Sequence, residues 1–130
     1  MKILNLFNMR IEFNIKPCPK PRMTRADKWK KRPIVLKYWD FCNELKTQAN
    51  RLNYKPGDRV SLIFFIPMAK SWSKKKREQM LCKPHKAKPD IDNLCKAFLD
   101  ALLDEDSYVY SLTAEKYWAN EGSIVVLTDE

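Results

Sequence analysis

Glycine is almost missing from this chain, with two residues in 130, and no stretch of the sequence is of low complexity. Collagen-like and repetitive architectures are excluded. Cysteine is sparse as well, because Cys18, Cys42, Cys82 and Cys95 form no CxxC pair, so reduced thiols are expected rather than a disulfide framework. There is one histidine, His85. The spacing Cys82-x-x-His85 is the only zinc-like cue, but two partner ligands at usable spacing are missing, and His85 reads as a loop residue. No apolar run approaches the roughly 20 residues that span a bilayer. The opening "MKILNLFNMRIEF" breaks into polar alternation too early for a signal peptide, so a cytoplasmic protein with no membrane partner is expected.

What the chain does have is a folded composition and an uneven charge. Hydrophobic residues make up 45% and aromatics 12%, enough for one domain, residues 1–130, with a modest core. Formal net charge is +9. Nine Lys/Arg face one acid between Lys16 and Lys37, and eight face one between Lys70 and Lys88, while from Asp104 to Glu130 seven acids face Lys116 alone. A basic run is often only a solvated face. Here the runs are interleaved with Trp29, Trp72, proline and serine, a surface suited to phosphate contacts and ring stacking on nucleic acid. Lys20, Arg22, Arg25, Lys28, Lys30, Lys31 and Arg32 form the first candidate DNA-binding set, and Lys74, Lys75, Lys76, Arg77, Lys86 and Lys88 the second.

Periodicity predicts an α/β domain of the α+β type, a small mixed and mainly antiparallel sheet packed with helices. In "RIEFNIKP", Ile11, Phe13 and Ile15 alternate with polar residues as in a half-buried strand, which "KPCPKPR" ends. From Pro33 an amphipathic helix is expected, with Val35, Tyr38/Trp39, Cys42, Leu45, Ala49 and Leu52 inward. "RVSLIFFIPM" reads as a central strand closed by Pro67. Ser71 or Ser73 is placed to cap a short helix through "KKKREQML". A further helix is expected from about Ile91 to Leu103, with Ile91, Leu94, Cys95, Phe98 and Leu102 inward. The tail then reads as two strands around an Asn120-Glu121-Gly122 turn.

Carboxylates concentrate in "KPDIDNLCKAFLDALLDED", directly behind the most basic stretch. Asp90 precedes the helix and suits a cap, and Asp92 sits in its first turn near the positive end of the macrodipole. Those roles are structural. At roughly 100° per residue, Asp92, Lys96 and Asp100 share one polar face, which an i,i+4 salt bridge also accounts for. Chemistry is the other reading, because acids beside a polyanion repel it unless a cation intervenes. Mg²⁺ prefers carboxylate and phosphate oxygens, and a second cluster, Asp104-Glu105-Asp106, begins where the helix should stop.

At these residues the sequence resembles the RusA-type Holliday junction resolvases of phages and prophages. "KPDIDNLCKAFLDAL" follows the pattern K-x-D-x-D-N-L-x-K-x-x-x-D-A-L, "EDSYV" follows D-D-x-x-V, and "KPCPKPRMTR" and "PMAKSWSKKKREQM" resemble the phage branch. The resemblance implies a RusA-like fold and a homodimeric, Mg²⁺-dependent endodeoxyribonuclease, with Mn²⁺ as a substitute metal. Such an enzyme nicks two strands of a four-way DNA junction symmetrically, leaving 3′-hydroxyl and 5′-phosphate ends. By motif position it makes Asp90, Asp92 and Asp106 metal-binding and catalytic, and Lys96 the stabiliser of phosphate or transition state. Glu105 stands where the family often has an aspartate, so Asp104 or Glu105 could share the role of Asp106. Asp100 reads as structural, paired with Lys96. Trp29, Trp72 or Met23 could wedge at the junction centre or belong to the core or rim. A non-catalytic basic DNA-binding dimer, or a metallonuclease for other branched or flap DNA, fits the same residues.

Overall fold

The computed structural model describes residues 9–25 and 32–128. Alternation in "RVSLIFFIP" builds β2 (Arg59–Pro67), where Val60, Leu62, Phe64 and Ile66 are buried and Ser61, Ile63, Phe65 and Pro67 are half-buried. It lies inside a mixed four-stranded sheet of order β1-β4-β2-β3, with β1 at Met9–Phe13, β3 at Ser111–Ala119 and β4 at Ser123–Thr128. β4 runs antiparallel to both β1 and β2, and β3 runs parallel to β2. The mixed α/β class expected from patterning is the one observed.

The two strands expected around Asn120-Glu121-Gly122 form, but they do not pair with each other as a hairpin, because β2 stands between β3 and β4. Pro67 pairs with Ala119 and Phe65 with Ser123, so the short connection carries the chain across the end of β2. Inserting β2 gives the most apolar strand a hydrogen-bonded neighbour on both sides, where a hairpin would leave it an edge. The crossing is tight. A Cβ at Gly122 would lie 2.7 Å from Lys16 Cα, which accounts for one of the two glycines.

Helix α1 (Pro33–Arg51) begins at Pro33, whose fixed φ suits the first turn. Its buried side is Val35, Tyr38, Phe41, Leu45, Gln48 and Ala49. The predicted stripe is therefore rotated: Phe41 and Gln48 face in, Cys42 is half-buried, and Trp39 and Leu52 are 42% and 45% exposed. Gln48 explains the rotation. Its Oε1 accepts the Asn14 N–H at 3.0 Å and its Nε2 donates to the Asn14 carbonyl at 3.1 Å, which satisfies backbone groups where β1 stops. β1 thus ends at Phe13 and not at Lys16, although Ile15 still packs on the core. At the far end, Asn53 takes φ 55°, Tyr54 N–H bonds Ala49 O at 2.9 Å and Asn53 N–H bonds Asn50 O at 3.2 Å. This left-handed cap stops the helix before Leu52 can join the stripe.

Helix α3 (Ile91–Leu102) buries Leu94, Cys95, Ala97, Phe98, Leu99 and Ala101, a wider face than predicted, with Ile91 and Leu102 half-buried at its ends. Together with α1 it encloses one core against the sheet, in which Phe98 meets Phe13 at 6.1 Å and Tyr54 at 6.5 Å. Full burial of such a side chain contributes about 1.5–3 kcal/mol. That core fixes α3 rigidly, and with it the polar residues on its outer side. Helix α2 (Lys74–Met80) buries nothing and is held at its start by Ser73, whose Oγ accepts the Lys76 N–H at 3.2 Å.

Candidate active site

Asp90 occupies the N-cap of α3 with extended backbone, yet its side chain makes no capping hydrogen bond. The capping role expected for it is therefore not used. Asp92 lies exposed in the first turn, and its Oδ1 accepts the neighbouring Asn93 N–H at 2.9 Å. Neither carboxylate forms an ion pair among the described residues.

The loop before α3 is threaded along the outer edge of β3. Cys82 N–H bonds Trp118 O at 2.9 Å, Trp118 N–H bonds Lys83 O at 3.0 Å, and His85 N–H bonds Lys116 O at 3.0 Å. Lys116 then secures the rest of the loop. Its Nζ donates to the carbonyls of Ala87 and Pro89, each at 2.6 Å, so an ammonium fixes the peptides that lead directly into Asp90. An open recess of about 450 Å³ results, lined by Lys86, Lys88, Asp90, Ile91, Asp92 and Lys116. Sequence reasoning missed Lys116. Its only signal was its isolation, as the single base in the acidic final stretch.

Farther along α3 the charges are matched to one another. Lys96 Nζ is 3.4 Å from Asp100 and 3.9 Å from Asp106, and Lys20 Nζ is 2.6 Å from Asp100. The expected Lys96–Asp100 pair forms. Glu105 Oε1 accepts the Ser107 N–H at 3.0 Å and so acts within the turn, while Asp104 lines a cleft between α1 and α3. Among the described residues no three His, Cys, Asp or Glu side chains are grouped as metal ligands, so Asp106 lies with Lys96 and is not gathered with Asp90 and Asp92. Two carboxylates with hard oxygens beside basic side chains are still a donor set that suits Mg²⁺, which takes one or two carboxylates and completes its shell with phosphate and water.

The basic residues divide into free and engaged ones. Lys74, Lys75, Lys86 and Lys88 are exposed; Lys76 lies 4.2 Å over the Trp72 ring, and Arg77 donates to Ala69 O at 2.9 Å. Trp72 in turn packs 4.8 Å from Trp118, which also carries His85 at 4.1 Å. That makes Trp72 a packed rim residue. His85 is 3% exposed, with Nδ1 unpartnered among the described residues, and burial together with Lys116 pushes its pKa below the usual value. Arg22, Met23 and Arg25 are exposed, and Arg32 donates to Arg22 O at 3.0 Å. Lys28, Trp29, Lys30 and Lys31 lie outside the described residues.

The family model for endodeoxyribonuclease RusA matches residues 12–127, from within β1 to within β4. The chain belongs to the RusA endodeoxyribonuclease family. No curated protein and no solved structure matches it. As a RusA family member it is a Holliday junction resolving endodeoxyribonuclease, and its substrate is junction DNA. Among the described residues no helix is long and apolar enough to cross a membrane.

Proposed function

We propose that the start of α3 is the catalytic centre for junction cleavage, with Asp90 and Asp92 as the principal carboxylates. The observation that carries this reading is their arrangement: two carboxylates without ion pairs, in a recess shared with Lys86, Lys88 and Lys116. Asp90 and Asp92 would hold Mg²⁺, or Mn²⁺ in its place, and Asp106 would join them as third acid once the scissile phosphate draws Lys96 away. When bound, the metal supplies a Lewis acid that neutralises phosphate charge and activates water. Lys96 stabilises negative charge that develops on the phosphorus centre. Lys86 and Lys88 position the phosphate, and the exposed lysines of α2, with Arg22 and Arg25, hold the arms through backbone contacts that carry little sequence information.

Resolution of a junction cuts two opposed strands, so the acting unit is taken to be a homodimer whose two-fold axis coincides with that of the junction. Cutting then takes place in the cytoplasm of a bacterial host. The test is cleavage of a labelled four-way junction beside a linear duplex and a splayed fork, in Mg²⁺ or EDTA. Paired symmetric nicks confined to the junction, absent in EDTA, are expected. Junction binding without nicks, in Mg²⁺ and in Mn²⁺, would replace this reading with that of a DNA-binding protein.

A further inference from the structure

The cleft between α1 and α3 has a volume of about 790 Å³, within the range of about 300–1,000 Å³ usual for small-ligand sites. We propose that it receives one nucleotide unstacked from the branch point, and that this nucleotide sets where the strand is cut. The inference rests on the nuclease reading above.

Three features of the cleft converge on a nucleotide. Trp39 is 42% exposed although its place in the sequence pattern put it in the core, and Met23, 40% exposed, lies in the same cleft. They are exposed apolar surfaces in a cleft that also holds Lys20, Lys46, Lys96, Asp100 and Asp104, and an indole face is what an unstacked base packs on. Asn43 lies one helical turn beyond Trp39 on the same side of α1, so an amide with both donor and acceptor stands beside the ring, suited to the edge of a base. Lys20, Lys46 and Lys96 supply charge for the flanking phosphates. Lys20 and Lys96 are partly neutralised by Asp100, whereas Lys46 has no ion pair among the described residues.

Continuity with the proposed catalytic centre gives the cleft its purpose. Lys96 lines the cleft and is the residue assigned above to the scissile phosphate, so a nucleotide seated against Trp39 fixes the register of its strand relative to the phosphate that Lys96 meets. A branch point is where such a nucleotide costs least to extrude, since stacking along the exchanging strands is already interrupted there. An intact duplex arm has no unstacked base to offer Trp39, so phosphate contacts alone would leave the indole idle.

Junctions with varied sequence at a mobile core, with every cut mapped to the nucleotide, test the inference. Wild type is expected to cut at a restricted subset of positions. Trp39→Ala should lower kcat/KM by about tenfold to a hundredfold and spread the cuts over more positions, while Trp39→Phe keeps the positions and most of the rate. Asn43→Ala should shift the preferred positions and lower cleavage at the wild-type positions by about tenfold. In an Asp92→Asn background, 2-aminopurine at the branch should be quenched on binding, and the quench should vanish with Trp39→Ala. Unaltered cut positions in Trp39→Ala and Asn43→Ala, whatever the rate, would overturn the inference. If wild type cuts no junction at all, it is the nuclease reading that has failed. Should Trp39→Ala not fold, the Asn43→Ala map and the 2-aminopurine signal with Trp39→Phe decide alone.

Discussion

The two ends of α3 carry the same residue types and treat them in opposite ways. At the start, Asp90 and Asp92 are left without ion pairs among the described residues, and the nearby Lys116 is occupied by two backbone carbonyls. Beyond the middle, Asp100 is held by Lys20 and Lys96, and Asp106 lies 3.9 Å from Lys96. The helix dipole makes this asymmetry reasonable. Unpaired carboxylates are tolerated at the positive N-terminus, whereas acids near the negative C-terminus need cations beside them. What the contrast teaches is that an acid cluster is not one thing: one end keeps its oxygens available, while at the other Asp100 has committed both of its oxygens to lysines of the fold.

Removing a carboxylate from the open end should have the largest effect. Asp92→Asn is expected to lower junction cleavage at least about a hundredfold, with junction affinity close to wild type, because several kcal/mol of charge stabilisation disappear while the basic surface stays. Nick assays beside gel-shift titrations read the two quantities separately. A variant that cuts at wild-type rate would place the chemistry elsewhere. Asp90→Asn should behave in the same way, since no capping bond is lost with it.

Next in size is the anchor behind that end. Lys116→Met removes the donor to Ala87 and Pro89 and releases the peptides before Asp90. Cleavage should fall by about tenfold to a hundredfold, as for other groups that orient a metal ligand, and the Mg²⁺ concentration for half-maximal rate should rise. An unchanged Mg²⁺ requirement with a lowered melting temperature would reduce Lys116 to a purely structural residue.

How far the sequence discloses all this depends on how local each feature is. The α3 stripe, the Ser73 cap and the alternation of β2 depend on near neighbours, and they were legible. The motif likewise put Asp90 directly before one helix and Asp92 and Lys96 on it. Contacts between distant residues decide the rest. Lys116 bonds peptides 27 and 29 positions away, Gln48 reaches 34 positions to Asn14, and the second rotates α1 so that Trp39 leaves the core. β3 and β4 were recognisable as strands, but the choice of neighbour belongs to β2, whose need for two partners no window of the tail contains.

At the self-paired end, smaller effects are expected. Asp100→Asn weakens contacts to two half-exposed lysines, so urea unfolding should show a loss of less than about 1 kcal/mol, and cleavage should change by no more than about threefold. Equality with Asp92→Asn in the nick assay would erase the difference between the two ends.

His85 gives the finest test, because it is buried against Trp118 in the loop that leads to the open end. Burial against Trp118 and the charge of Lys116 lower its folded pKa below the 6.5 of an unperturbed histidine, so the unfolded chain binds the proton more readily. Stability from this group is therefore complete above about pH 6.5 and declines as pH falls through that value towards the folded pKa. His85→Phe keeps a ring on Trp118 and removes the titration. Between about pH 7.5 and pH 5.5 its melting temperature should drop less than that of wild type. Every other titrating group is common to the two proteins and cancels in the comparison. Parallel curves would mean that the folded and unfolded chains bind the proton equally, so that neither burial nor Lys116 disfavours the imidazolium, and a wild-type curve that falls less than that of His85→Phe would put a second cation beside Lys116.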